Sequence, residues 1–283
     1  MQNKTAIALG TFDGVHLGHL AVLNLPKEYK RVAVTFTAPP KSEISGKKEL
    51  ITTTEEKCER LKKVGIDEIY LLEFSKVKDM SSESFLEFLK EKYSPSIISC
   101  GFNYRFGKNG GGNTKTLKEF CNKNSIEFKC SECIYSDGIP VSSTAIRNML
   151  AEGEIEKANK LLSEPFSFTA SVMSGDRRGR TMGFPTINQK YPEELVKLKF
   201  GVYKTLVEAN GKQYTGITNI GIRPTYELDF AISETHIIDF SGDLYNKDVK
   251  ITPLLFLREE KKFSSLEELK NQIDADLKYI KEI

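Results

Sequence analysis

Two histidines three residues apart, His16 and His19, lie in the run Gly10-Thr11-Phe12-Asp13-Gly14-Val15-His16-Leu17-Gly18-His19. The run follows an apolar strand candidate and opens a helix, so both rings project from one side of the first turn. Glycines at 10, 14 and 18 let backbone amides approach a phosphate, and a helix N-terminus favours negative charge. Imidazoles placed there can donate hydrogen bonds to phosphate oxygens as a leaving pyrophosphate gains charge. Transfers at phosphorus run on positioning and charge stabilisation and need no covalent intermediate. The plain alternative is a surface pair or half of a metal site. The chain's third and last histidine, His236, is far along the sequence, which excludes a local three-histidine centre.

Three further constellations could carry chemistry. Val141-Ser142-Ser143-Thr144-Ala145-Ile146-Arg147 offers hydroxyls, a helix start and one fixed cation, a fitting clamp for a triphosphate; alone it could be an ordinary capped helix. The run from Gly175 through Gly179, Arg180, Gly183 and Pro185 to Thr186 and Asn188 mixes glycines, basic groups and small polar ones. It suits a diphosphate with a divalent cation, because the Thr186 hydroxyl and the Asn188 amide oxygen are hard ligands of the kind Mg²⁺ accepts. Its charges alone do not separate it from a basic surface loop. In the strand candidate Ala231–Phe240, alternation puts Ile232, Glu234, His236, Ile238 and Phe240 on one face. A carboxylate among apolar neighbours can take a proton from a hydroxyl, and an exposed edge-strand glutamate is an equal reading of the same pattern. Cys130 and Cys133, a single C-x-x-C, fall in a strand candidate where a spacing of three puts them on opposite faces, which disfavours a shared metal.

The elements that must position these groups change character midway. Strand candidates Thr5–Leu9, Arg31–Thr35, Glu68–Phe74, Ser96–Cys100 and Ile126–Cys133 alternate with helical stretches Gly18–Leu25, Thr54–Val64, Ser82–Tyr93 and Thr114–Asn124. Thr52 and Thr53 are both capping-box starts for the second helix, and Pro26 stops the first early. This predicts an α/β domain with a doubly wound parallel sheet. After two short helices, Ser142–Leu150 and Glu154–Leu162, the chain is strand after strand: Phe168–Met173, Val202–Glu208, Gln213–Thr218, Ala231–Phe240 and Val249–Leu257. That predicts a small antiparallel β-barrel, followed by a helix opening at Ser264 or Ser265 with the apolar stripe Leu266, Leu269, Ile273, Leu277 and Ile280. Ser163-Glu164-Pro165 divides the chain into expected domains 1–163 and 164–283.

At 283 residues both domains can bury a core, and 41 basic against 39 acidic residues give a net charge of only +2. No global field recruits nucleic acid or an anionic membrane, so phosphate binding is local. No window approaches the ~18 apolar residues of a membrane span, and the first residues lack the pattern of a signal peptide. Five cysteines read as free thiols, and the expected location is cytoplasmic. The oligomeric state is not encoded in any of these features.

The first motif resembles the HxGH signature of the nucleotidyltransferase superfamily, in the form found in bacterial FAD synthetases. Gly101-Phe102-Asn103-Tyr104-Arg105-Phe106-Gly107 and Val141–Arg147 resemble two further motifs of that family. Relatives often carry Asp-Pro-His-Pro after the second strand, where this chain reads Thr37-Ala38-Pro39-Pro40. The Gly175–Asn188 run, Gly201-Val202-Tyr203, Asn219–Thr225, Glu234–Tyr245 and Leu257–Phe263 resemble riboflavin kinase. The resemblance implies a bifunctional enzyme: ATP and riboflavin give FMN and ADP, then ATP and FMN give FAD and pyrophosphate. It implies nucleotide contacts from Gly10, Phe12, Asp13, Gly14, Asn103, Ser142, Ser143, Thr144 and Arg147. It further implies Glu234 as base, Thr186 and Asn188 on Mg²⁺ and ATP phosphates, and Arg258 with the last helix closing the flavin site. Two rivals stay open: a kinase with a weakened adenylyltransferase domain, and a flavin- or RNA-binding regulator without catalysis.

Overall fold

The computed structural model describes residues 4–37, 49–174, 183–222 and 230–282. Gly175, Gly179, Arg180 and positions 38–40 of the Thr37–Pro40 departure lie outside them. The chain divides into two compact units, Met1–Ile146 with Leu161–Glu164, and Arg147–Lys160 with Pro165–Ile283.

The first unit is built on a parallel sheet. Strands β1 (Thr5–Leu9), β2 (Lys30–Phe36), β3 (Glu68–Leu72), β4 (Ile97–Gly101) and β7 (Glu127–Ser131) lie in the order β3-β2-β1-β4-β7. Every residue of β1 is buried, as a central strand covered on both faces requires. Short ribbons β5 (Arg105–Phe106) with β6 (Gly112–Asn113) and β8 (Tyr135–Ser136) with β9 (Ile139–Pro140) decorate the sheet. Helices Leu17–Leu23, Thr54–Lys63, Ser82–Tyr93 and Thr114–Lys123 connect the strands. Thr53 alone caps the second of these, in a full capping box with Glu56. Thr52 instead accepts the amide of Gly14 at 3.2 Å, tying the helix start to the histidine loop.

From β1 the chain winds outward through β2 to β3, then returns to the other side of β1 at β4. The order therefore reverses between β1 and β4, and in such sheets ligands bind at the carboxyl ends of the strands at this switch point.

The second unit is a closed antiparallel barrel of β10 (Phe168–Met173), β11 (Thr186–Lys190), β12 (Gly201–Ala209), β13 (Lys212–Gly221), β14 (Ile232–Ile237) and β15 (Asp248–Arg258), ordered β10-β11-β14-β13-β12-β15. Its interior is partly polar. Thr205, Thr218 and Thr235 hydroxyls link β12, β13 and β14 in a chain with 2.9 Å steps. Gln189, fully buried, bridges the carbonyls of Ala170 and Val249 through its amide nitrogen.

Three sequence expectations shift. Thr186–Asn188, outside every strand candidate, belong to a strand whose pairing with β14 begins at Thr186, just after Pro185. Strand β14 ends at Ile237, since Asp239 adopts φ 56°, so Phe240 leaves the Glu234 face and packs its ring on Tyr214. The terminal helix spans Leu266–Glu282, capped by Ser265, whose hydroxyl accepts the Glu268 amide. Ile280 and Leu277 pack on Val202, Ile217 and Leu257, whereas Leu266 is 69% exposed: it sits in the first turn, before the helix reaches the barrel.

Candidate active sites

In the first unit, the loop after β1 is shaped by left-handed backbone at Phe12, Gly14 and Val15, with φ of 50°, 83° and 45°. Phe12 is fully buried, and a Cβ on Gly10 would lie 2.7 Å from its ring, so Gly10 makes room for that side chain. The Asp13 carboxylate accepts the amides of Ile51 and Thr52 at 2.9 and 3.3 Å. Ser143 donates to the Asp13 carbonyl at 3.0 Å, and Ser142 caps its own helix through the Ala145 amide. These groups hold the loop and the helix Ser143–Ala151 in place. Thr144 is exposed at that helix start, and Arg147 follows Ser143 by one turn on the same face.

The histidine rings stack, with centroids 3.6 Å apart and planes 17° from parallel. His16 Nδ1 accepts the His19 amide, and Phe12 meets the His19 ring edge-on at 5.3 Å. Gly18 is needed beside them, because a Cβ there would press to 3.1 Å on the His16 ring. Burial, the adjacent His16 and the nearby Lys57 hold the His19 pKa well below its usual value, which keeps the ring neutral. Its Nδ1 is buried without a hydrogen-bond partner. Buried polar atoms are rarely left so, and where they are a functional reason is a leading explanation.

Lys57 was not singled out by the sequence. Its side chain is buried and donates to the Phe36 carbonyl at the end of β2. Burial lowers its pKa, and the Asp13 carboxylate opposes that shift. A lysine in a polar helix pattern gives no sign of burial. Asn103 is exposed just beyond the end of β4, so the loops after both switch-point strands carry motif residues.

In the second unit, cross-strand register assembles a row. Asn188 pairs with Glu234, Glu234 with Asn219, Asn219 with Val202, and Val202 with Arg258. The row crosses β11, β14, β13, β12 and β15 on the barrel's outer face, opposite the buried Ser233 and Thr235. Glu234 is half-buried there. The neighbouring row places Thr186 opposite His236. His236 Nδ1 bonds the Pro185 carbonyl at 2.9 Å and its ring meets Phe184 edge-on, which fixes the entry to β11. Gly183, φ 87°, precedes this entry. A cavity of about 350 Å³ opens beside it, lined by Pro185, Thr186, Ile187, Thr235, Ile237 and the Phe240–Tyr245 loop.

Arg258 is engaged by the terminal helix: its guanidinium bonds both carboxylate oxygens of Asp276 at 2.9–3.2 Å. Gln272 donates to the same carboxylate. The row also brings in Asn219, whose amide donates to Glu260 at 3.0 Å. Neither stood out in the sequence as a site residue, because only the β13–β14 register reveals that Asn219 neighbours Glu234.

A parallel sheet with a histidine loop at its switch point, followed by a barrel carrying a row of amide and carboxylate groups on its outer face and a cavity at the entry to β11, defines a transferase with two nucleotide-chemistry units. Residues 1–145 match the family model described as FAD synthetase, and residues 162–283 match the one described as riboflavin kinase. The chain belongs to the bifunctional riboflavin kinase/FMN adenylyltransferase family. The family member from Listeria monocytogenes serovar 1/2a is 34% identical over 282 residues, covering 95% of this chain and 89% of its own. That of Bacillus subtilis strain 168 is 32% identical over 292 residues, covering 97% and 91%. A crystal structure from Streptococcus pneumoniae, described as a macrolide-efflux protein, superposes with a TM-score of 0.89 at 28% identity, covering 98% of this chain and 94% of the other. Among the described residues here, no helix is long and apolar enough to cross a membrane.

Proposed function

We propose that this chain makes both flavin cofactors: the barrel unit phosphorylates riboflavin with ATP, and the sheet unit joins AMP from ATP to the resulting FMN. The observation that carries the kinase reading is the row in which Glu234 stands between Asn188 and Asn219, one row from Thr186, which lines the cavity. Glu234 takes the proton of the ribityl 5′-hydroxyl as its oxygen attacks the γ-phosphorus of ATP, and ADP leaves. The cavity next to Thr186 receives the nucleotide. Thr186 and Asn188, two oxygen-bearing side chains on one face of β11, would hold Mg²⁺ with phosphate oxygens and water, and the ion would neutralise phosphate charge. Among the described residues no cluster of three or more His, Cys, Asp or Glu side chains could hold a metal.

At the switch point, an FMN phosphate oxygen attacks the α-phosphorus of ATP and pyrophosphate leaves. The stacked His16 and His19 stabilise the charge that develops on the phosphates, His19 as a neutral hydrogen-bond donor. Asn103 flanks the nucleotide from the end of β4. Thr144 and Arg147 hold phosphate from the helix Ser143–Ala151. Gly10, Phe12, Asp13, Gly14, Ser142 and Ser143 keep the loop in shape.

The test is incubation of the full chain with ATP, Mg²⁺ and riboflavin, followed by chromatography of the flavins. FMN and FAD together are expected. FMN alone removes the adenylyltransferase half, and unchanged riboflavin removes the reading.

A further inference from the structure

We infer that residues 162–164 are a positioning element of the adenylyltransferase site, holding Val15 and through it the two histidines, an inference that rests on the adenylyltransferase reading above. Val15 is fully buried and has left-handed backbone, with φ 45°. A β-branched side chain crowds its own backbone there, and such a conformation persists only where the surroundings over-determine it. His16 comes next and is the extended N-cap of the helix Leu17–Leu23, with φ −80° and ψ 172°. Relaxing Val15 to an ordinary conformation would therefore re-aim His16 and the helix start that carries His19.

Each residue of the strained turn is met by this segment. The Ser163 amide donates to the Val15 carbonyl at 3.1 Å. Leu162 pairs with His16 as an antiparallel β-bridge. The buried Leu162 side chain packs on Gly14, where an added Cβ would lie 3.1 Å from its Cδ2. The segment is itself fixed from the other side. Arg60, buried on the helix Thr54–Lys63, donates to the Glu164 carbonyl at 2.6 Å, and Lys63 meets the Glu164 carboxylate at 2.8 Å. Thr52 and Asp13 tie the start of that same helix to the loop, so loop, helix and segment brace one another.

Transfer at phosphorus depends on placement, and a displacement of about 1 Å can cost about 10²-fold in rate. The role of residues 162–164 is to keep the working conformation of the loop populated. Without the Ser163 amide, Val15 leaves the left-handed region and the histidines turn from the phosphates they serve. Glycine at position 15 would hold that backbone unaided, because it has no Cβ to crowd it. The segment reaches the loop only after residues 147–160 have joined the other unit, so spacing along the chain gives no sign of it.

The experiment measures both activities of the full chain in a double-mutant cycle of Ser163→Pro and Val15→Gly. Proline removes the amide donor and favours an extended residue before it, which the bridge at Leu162 already is. Ser163→Pro should lower kcat for adenylylation of supplied FMN by about 10²-fold, with phosphorylation of riboflavin unchanged. In the Val15→Gly background the same proline should cost less than about threefold, close to the scatter of independent sites. An equal loss in both backgrounds would overturn the assignment, as would a proline variant that makes FAD at the full rate. Loss of both activities would mean a damaged fold, and Leu162→Ala then decides. Reduced FAD formation with an intact kinase supports the positioning role, whereas a parallel loss or none overturns it. A wild-type chain that makes FMN but no FAD fails at the adenylyltransferase reading itself, and this inference falls with it.

Discussion

Burial, the stacked ring of His16 and the ammonium of Lys57 all work against a positive charge on His19. His16→Asn and Lys57→Met should each raise the His19 pKa, observable by NMR titration of the ring, and a titration unmoved by both would break the coupling. The sign for stability follows from linkage. Above the ordinary value of 6.5, His19 is neutral whether folded or not. As the pH falls below that, the unfolded chain takes up the proton first, so folding stability declines until the lower folded pKa is reached. His19→Ala should remove this pH dependence. The same variant should cut FAD formation by about 10²–10³-fold, the usual cost of one preorganised donor, with FMN formation from riboflavin intact. On the barrel, Glu234→Gln keeps the shape and loses the proton acceptor. Kinase turnover should fall by about 10²–10⁴-fold while adenylylation of supplied FMN survives. Full kinase turnover in that variant would take Glu234 out of the mechanism.

Among the elements, the terminal helix is tied to the barrel by one cluster of charge as well as by its apolar face. Asp276 is buried and binds Arg258 at the end of β15, so Asp276→Ala leaves a half-buried guanidinium without its carboxylate. A loss of about 1–3 kcal/mol in urea unfolding is expected. The sheet and most barrel strands could be read from the sequence because their burial has a pattern: β1 is buried at every position and apolar after Thr5, and β12 alternates from Tyr203 onward. β11 escaped because its five residues, Thr-Ile-Asn-Gln-Lys, carry polar groups on both faces, one set serving the outer row and Gln189 serving the interior. The histidine motif was legible as a motif, but the work of its neighbours was not. Asp13 spends its carboxylate 38 and 39 residues away, and its carbonyl is met by Ser143, 130 residues on, partners that spacing along the chain cannot disclose. The glycines were read as room for phosphate, whereas Gly10 and Gly18 make room for the rings of Phe12 and His16. Gly18→Ala should therefore displace the His16 ring and lower FAD formation, leaving the kinase untouched.

Over the whole molecule, the chain passes between its two units more than once. Residues 147–160 belong with the barrel and 161–164 with the sheet, before the chain returns at Pro165. Within the barrel unit, Asn159 donates to the Pro253 carbonyl and accepts the Phe166 amide. Within the sheet unit, Ser163 donates to the Val15 carbonyl beside the histidine loop, and Arg60 donates to the Glu164 carbonyl. A barrel fragment begun at residue 147 should outlast one begun at 165 by roughly 1–3 kcal/mol in urea, since the shorter one forfeits the Asn159 bonds. Both should phosphorylate riboflavin if 164–283 holds the whole kinase site, and an inactive shorter fragment would move that boundary upstream.

The alternation of β14 has a consequence for errors in assembly. Glu234 faces the outer row, and the next residue, Thr235, belongs to the hydroxyl chain inside the barrel. A slip of one residue in pairing would exchange them, driving a carboxylate into the interior and expelling Ser233 and Thr235 from it. Burying that charge without a partner costs far more than a barrel can spare. A misthreaded copy is therefore unstable as well as inactive, and the strand that carries the proposed base also proofreads its own alignment.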